Sequence, residues 1–252
     1  MRGFFYIIIT ILGLIEVSYS STRGDVKIIE ATENIQYLSQ KIATDYLFFY
    51  NKPADILLKN QLHKNINNLQ FFVADIVDTT KDTHTKNILD YFTYRIEQMK
   101  QLPNQTINEP NARLILKYSE LLLEGAESIA KEHKYKFSKE EKMLMQSKEI
   151  QYLVERATKY YMAFQIGLDR ENNYIKIQKA IEDIDINIKK IDIYKYPYPL
   201  EKKLKEVNRV WKTNRDFLVK ANEYTVPYLL LGSTEYIKSL LKDIEQYHKK
   251  NL

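Results

Sequence analysis

Ile35-Gln36-Tyr37-Leu38 recurs as Ile150-Gln151-Tyr152-Leu153, and this return after 115 residues constrains the fold more than any other feature of the chain. The match continues without a gap: Lys41 aligns with Arg156, Tyr46 with Tyr161 and Phe49 with Phe164. Self-similarity at such an interval predicts two copies of one module. A later echo pairs Leu121-Leu122-Leu123 and Ala126-Glu127-Ser128-Ile129 with Leu229-Leu230-Leu231 and Thr234-Glu235-Tyr236-Ile237. Its shorter interval of 108 predicts the loss of a few residues between the two landmarks.

Each copy reads as helices. Ile35, Leu38, Ile42, Tyr46 and Phe49 fall at steps of three and four, one face of a helix, and Ile150, Leu153, Ala157, Tyr161 and Phe164 repeat those steps. Only six glycines and six prolines interrupt 252 residues, which leaves room for long helices. Asn51-Lys52-Pro53 ends the first helix, because the residue before proline is driven out of helical geometry. Further helices are predicted from about Ala54 to Val77, on to about Leu102, and from beyond the Pro103–Pro110 loop to about His133. Ser138 with Glu141 forms a capping box at the start of the second copy. Pro197-Tyr198-Pro199 separates its second and third helices, and Pro227 starts its last. The predicted fold class is all-α, with two tandem antiparallel four-helix-bundle modules over 21–136 and 137–252. Whether the copies stand apart or form one array is left open.

The N-terminus has the three-part layout of a secretory signal peptide. Met1-Arg2 is basic, Phe4 to Ile15 is mostly apolar, and small residues precede a cut after Ser20. The apolar run falls short of the roughly 20 residues of a comfortable membrane span, although an uncleaved anchor is the alternative. No later apolar run approaches that length. The mature chain is therefore expected to be exported to the periplasm with no membrane span. Cysteine is absent, so helix packing must supply the stability that disulfides give many exported proteins.

Little in the sequence suggests catalysis. The net charge of +5 is spread along the chain, which argues against a nucleic-acid partner. His63, His84, His133 and His248 are widely separated and read as exposed helix residues, with Glu245 near His248 the closest approach to a metal pair. Glu140-Glu141 and Asp183/Asp185 read as solvated carboxylates. With no phosphate loop, nucleophile elbow or cysteine, neither an enzyme nor a cofactor is expected. Twenty tyrosines are conspicuous. Tyr160-Tyr161 and Tyr194-x-Tyr196-x-Tyr198 either pack or line a pocket, while Tyr37 and Tyr152 lie one step off the apolar stripe, at a helix–helix or subunit seam. The single tryptophan, Trp211, is expected to pack on the first helix of the second copy.

Asn34-Ile35-Gln36-Tyr37-Leu38-Ser39-Gln40-Lys41-Ile42-Ala43 resembles the signature helix of PilJ-type sensor domains. These are the extracytoplasmic input regions of pilus chemotaxis transducers and nitrate/nitrite sensor kinases. Leu38-Ser39-Gln40-x-Ile42-Ala43 carries the match, with Lys41 at the motif's last arginine. In the second copy Leu153 and Arg156 fit, while Val154-Glu155 replaces Ser-Gln. Val207-x-x-x-Trp211 is similar to the third-helix pattern. The resemblance implies a four-helix sensor bundle that binds a small ligand, pairs as a homodimer through its first helix and reports to a protein partner in the envelope. The arginine that holds the anion in nitrate sensors corresponds to Gln36 and Gln151, which removes its positive charge. Candidate ligand-binding residues are therefore Gln36, Ser39, Gln40, Lys41, Gln151, Glu155 and Arg156. A structural or adaptor protein docking onto an envelope complex, without a small ligand, is the alternative.

Overall fold

The structure is a computed structural model that describes residues 23–133 and 135–252; the predicted signal segment, residues 1–20, lies outside them. It is all-α. Among the described residues eight helices follow one another: α1 (Arg23–Asn51), α2 (Ile56–Thr79), α3 (Thr83–Gln101), α4 (Glu109–Glu132), α5 (Lys139–Gln165), α6 (Arg170–Asp192), α7 (Tyr198–Val219) and α8 (Pro227–Lys250). A short 3-10 turn, Leu102–Asn104, links α3 to the loop before α4, and no strand occurs among the described residues.

Local chemistry sets the boundaries. The first amides of a helix have no intrahelical acceptor, so a side-chain oxygen just ahead of them stabilises the start. Asp55, Asp82 and Asn108 accept from the amides of Leu58, Thr85 and Asn111 at 3.1, 2.6 and 2.9 Å. The Ser138–Glu141 box forms as predicted, with reciprocal bonds of 3.1 and 2.6 Å. Pro110 stands inside the first turn of α4 rather than in the preceding loop, because proline lacks only an amide that would be unpaired there.

The apolar faces close two bundles. α1 packs on α2 and α4, with α3 completing the first; α5 packs on α6 and α8, with α7 completing the second. Ile35, Ile42 and Tyr46 are wholly buried in one, as are Ile150, Ile177 and Ile237 in the other. Cutting Ile42 back to alanine costs about 2–5 kcal/mol through lost transfer energy and the cavity left behind. The bundles are joined chiefly through α1 and α5. Glu33 meets Lys148 and Gln40 meets Lys159, so partners advance together and the two helices run in the same direction.

Four expectations change. The shorter interval for the later echo gives way to a constant offset: Ile115, Ser119, Leu122 and Ile129 on the buried face of α4 correspond to Leu230, Thr234, Ile237 and Ile244 of α8, each 115 residues on. A slip of about seven residues is nearly two helical turns and restores the same face, which is why the leucine runs looked equivalent. Trp211 turns to the second helix of its bundle, donating its indole N–H to Asp185 of α6 at 2.7 Å; Arg215 binds the same carboxylate at 3.0 Å, so Asp185 is not simply solvated. Neither are all the histidines exposed. His248 is fully buried between Glu140 (2.6 Å) and the Tyr196 hydroxyl (2.9 Å), and His133 meets Asp25 at 2.8 Å. These two acid–histidine pairs occupy equivalent places and tie the first turn of each bundle's first helix to the end of its fourth.

Candidate functional site

Gln36 of α1 and Gln151 of α5 line one cleft of about 190 Å³ between the two bundles. Eight of its ten lining residues are four equivalent pairs: Glu33 with Lys148, Asn34 with Glu149, Gln36 with Gln151, and Tyr37 with Tyr152. Equivalent residues converge in this way only beside an axis that exchanges the two copies. α8 alone supplies the remaining two, Lys242 and Glu245.

The lining is close to electrically balanced. Lys148 donates to Glu33 at 2.9 Å across the seam. Burial nevertheless pushes the Glu33 carboxyl up to about 7, against the pull of Lys148 and with help from Glu149 and Glu30. Gln151 donates its amide to Glu245, and Lys242 stands exposed at the mouth. Glu149 has no hydrogen bond or ion pair among the described residues; burial raises its carboxyl, and the charges of Asp183 and Glu127 add to the effect. Tyr152 is buried with its hydroxyl unbonded, and its pKa is raised by burial.

The other five candidates are committed to internal bonds below the cleft. Ser39 donates to the Gln36 carbonyl at 2.7 Å and accepts from Gln40 at 2.9 Å. Gln40 in turn accepts from Lys159 at 2.6 Å. Lys41 is held by Asp45 (2.7 Å) and Glu235 (3.1 Å). Burial works against its charge, but Glu155 and Asp45 outweigh burial and the ammonium persists. Glu155 is completely buried and accepts from Lys238 at 2.6 Å. Lys238 and then Lys41 overcome its desolvation and hold its carboxyl below the usual range, although its other oxygen has no hydrogen bond. Arg156 donates to the Tyr160 hydroxyl at 3.2 Å and lies over the Tyr152 and Tyr160 rings. Only the two glutamines face the cleft.

A charged layer thus crosses the seam where an all-apolar interface would have been simpler. Lys159 is fully buried, donating to Gln40 and to the Glu120 carboxylate, which also takes the Tyr160 hydroxyl. Its burial brings the ammonium down to about 8 in spite of Glu120. Asp45, between Lys41 and Asn65, is pushed up to about 6 by burial, with Lys41 opposing and Glu155 reinforcing. The layer is reciprocal, as a two-fold arrangement requires. Lys159 of α5 reaches Gln40 of α1, and the equivalent Thr44 of α1 lies beside the equivalent Glu155 of α5. Lys41 of α1 reaches Glu235 of α8, and the equivalent Arg156 of α5 feels the charge of the equivalent Glu120 of α4, which also holds Lys159. Reading the chain linearly missed Lys148, Lys159 and Lys238. The opposite charges of Glu33 and Lys148 at equivalent positions were a signal of the seam beside the one that Tyr37 and Tyr152 gave.

The described residues contain no cluster of three or more histidine or acidic side chains able to hold a metal ion, and no helix long and apolar enough to cross a membrane. Comparison with protein-family models, with characterised proteins and with solved structures returns no match. The cleft must therefore be interpreted from its own geometry.

Proposed function

We propose that the protein is an exported, periplasmic, non-enzymatic binding module of PilJ-like sensor type, which takes a small polar ligand in the cleft between α1 and α5 and reports to a partner protein. The observation that carries this reading is the convergence of Gln36 and Gln151 on one cleft. The resemblance implies a ligand held at that motif position on the first helix, through which such bundles pair, and here both copies of the position belong to one chain. Amides, tyrosines and nearly balanced charge suit a small neutral or zwitterionic ligand better than a bare anion, since the cations beside the cleft are either paired or at its rim. Ligand entry would act directly on the seam, because Gln36 and Gln151 lie one to two turns ahead of the charged layer.

The test is a thermal-shift screen of the protein against nitrate, nitrite, other small anions, amino acids and small amides. A ligand at 100 times its dissociation constant adds about 2.7 kcal/mol of stability. The midpoint rise should disappear in Gln36→Ala and Gln151→Ala. A flat screen across all classes counts against the reading. It would favour the adaptor alternative, for which exposed Ile56 and Leu57 at the start of α2, 71% and 81% accessible, are the supporting observation.

A further inference from the structure

The sequence scatters its lysines, but the fold gathers them. The α6–α7 loop, the start of α5 and the end of α8 meet at one end of the second bundle. There Tyr194 donates to Glu140 at 2.7 Å, Tyr196 meets His248 at 2.9 Å, and the rings of Tyr194, Tyr196 and Tyr247 pack edge to face or tilted around the imidazole. The knot presents lysines outward. Lys139, Lys190, Lys195, Lys202, Lys249 and Lys250 are all exposed on it or within about a turn of it. The acids nearby point elsewhere: Glu140 is bonded to Tyr194 and His248, Glu141 caps α5, Asp192 accepts from Asn208, and Glu201 pairs with Lys205. Exposed Asp192 and Glu149 of the adjoining groove keep their charges, and Glu245 stands 4.0 Å from Lys249, so lysine is in excess at this surface rather than alone.

Apolar side chains stand among those charges. Ile193 is 81% exposed and Tyr198 is 67% exposed, the latter with the Lys202 ammonium over its ring at 4.7 Å. Beside them opens a groove of about 830 Å³ walled by Met143, Met145 and Ile193, its lining carrying Lys139, Lys142 and Lys190 against Glu33 and Glu149. The corresponding loop of the first bundle, Asp78-Thr79-Thr80-Lys81-Asp82, has neither the aromatics nor the excess of lysine. α1 also begins at this end, because His133 binds Asp25 and Tyr135 binds Glu141 there.

We propose that this end of the second bundle is a docking surface for an anionic lipid bilayer. Lysines flanking exposed aliphatic and tyrosine side chains match the two layers of a membrane interface, phosphate outside and hydrocarbon beneath. Each lysine near such a surface contributes attraction that salt screens. A nucleic acid would meet the same charge but would leave Ile193 and the methionine-walled groove in water. Docking would set the long axis of the bundles upright on the membrane and keep the far end, with the α2 start, away from it.

The test uses the full chain with Ile193→Trp as a reporter, the emission of the buried Trp211 being subtracted with the parent protein. Mixed phosphatidylglycerol–phosphatidylcholine vesicles should shift the reporter emission to the blue, and brominated lipid should quench it. Phosphatidylcholine vesicles alone should do neither. Lys195→Glu with Lys250→Glu should weaken the response by roughly fivefold or more per lysine, and raised salt should do the same. Absence of a shift on anionic vesicles overturns the proposal. So does an equal response on neutral vesicles, or in the charge-reversed variant. Equal quenching of a Leu57→Trp reporter at the far end would also sink it, by showing unoriented adhesion. Stronger protection of the reporter by a DNA or RNA duplex than by anionic vesicles would reassign the surface to nucleic acid.

Discussion

Glu33 and Lys148 hold equivalent positions 115 residues apart and are bonded to each other at 2.9 Å. Two copies packed about a shared axis bring like positions together there, where like residues would be charged alike. A symmetric pair of identical chains would face glutamate with glutamate, or lysine with lysine. Carrying both copies on one chain allowed the two positions to diverge, so repulsion became attraction. The same freedom produced Gln40 against Lys159 and Glu155 against Thr44.

This pairing is testable by charge exchange. Glu33→Lys and Lys148→Glu should each lower stability, because each places like charges in a partly buried seam. The double variant should recover most of the loss. A coupling of about 1–3 kcal/mol by chemical denaturation is expected for partners in direct contact. A coupling near zero would mean that solvent already screens the pair.

Glu33 also sets a pH dependence. Its carboxyl is raised to about 7 in the folded protein, so between the unfolded value near 4.5 and about 7 the native state holds a proton that the unfolded chain has released. Stability should therefore fall as pH rises through that window, and Asp45, raised to about 6, adds to the fall in its lower part. Lys159 acts with the opposite sign at higher pH. Its lowered value of about 8 makes the unfolded chain the better proton binder between about 8 and the ordinary lysine range, so stability rises there. Unfolding midpoints measured from pH 5 to pH 8 should drop less in Glu33→Gln than in the parent; an unchanged slope would remove Glu33 from the account.

Lys238 and Glu155 form the deepest ion pair among the described residues, at 4% and 0% side-chain exposure. Lys238→Met leaves a carboxylate buried in the seam without its main partner and should cost about 3–5 kcal/mol. Adding Glu155→Leu removes the stranded charge, and stability should return to within about 1–2 kcal/mol of the parent. If the double variant were no better than the single, the loss would lie in packing rather than in the uncompensated charge.

Two helical glycines should respond in opposite directions to alanine. A Cβ on Gly125 of α4 would meet the Phe92 ring at 2.5 Å, so Gly125→Ala forces α3 and α4 apart and should cost about 1–3 kcal/mol. Gly232 of α8 has open space around it, and Gly232→Ala should add about 0.5–1 kcal/mol through helix propensity alone. Thermal unfolding of the two variants separates the cases.

The sequence alone determined the helices and most of their ends. Periodicity, the Ser138–Glu141 box and the proline positions are short-range signals, each decided by groups a few residues apart. It also marked the repeat and, in Gln36 and Gln151, the two positions that meet in the cleft. Only the tertiary structure decided that those positions belong to one site, because their meeting depends on α1 and α5 packing side by side in the same direction. Nor could the sequence reveal that Lys41, Glu155 and Arg156 are internally paired while lysines from three separate segments share one surface. A charge reads the same along a chain whether it faces water or a counter-charge. Burial and partnership are long-range properties, fixed when the two bundles close on each other.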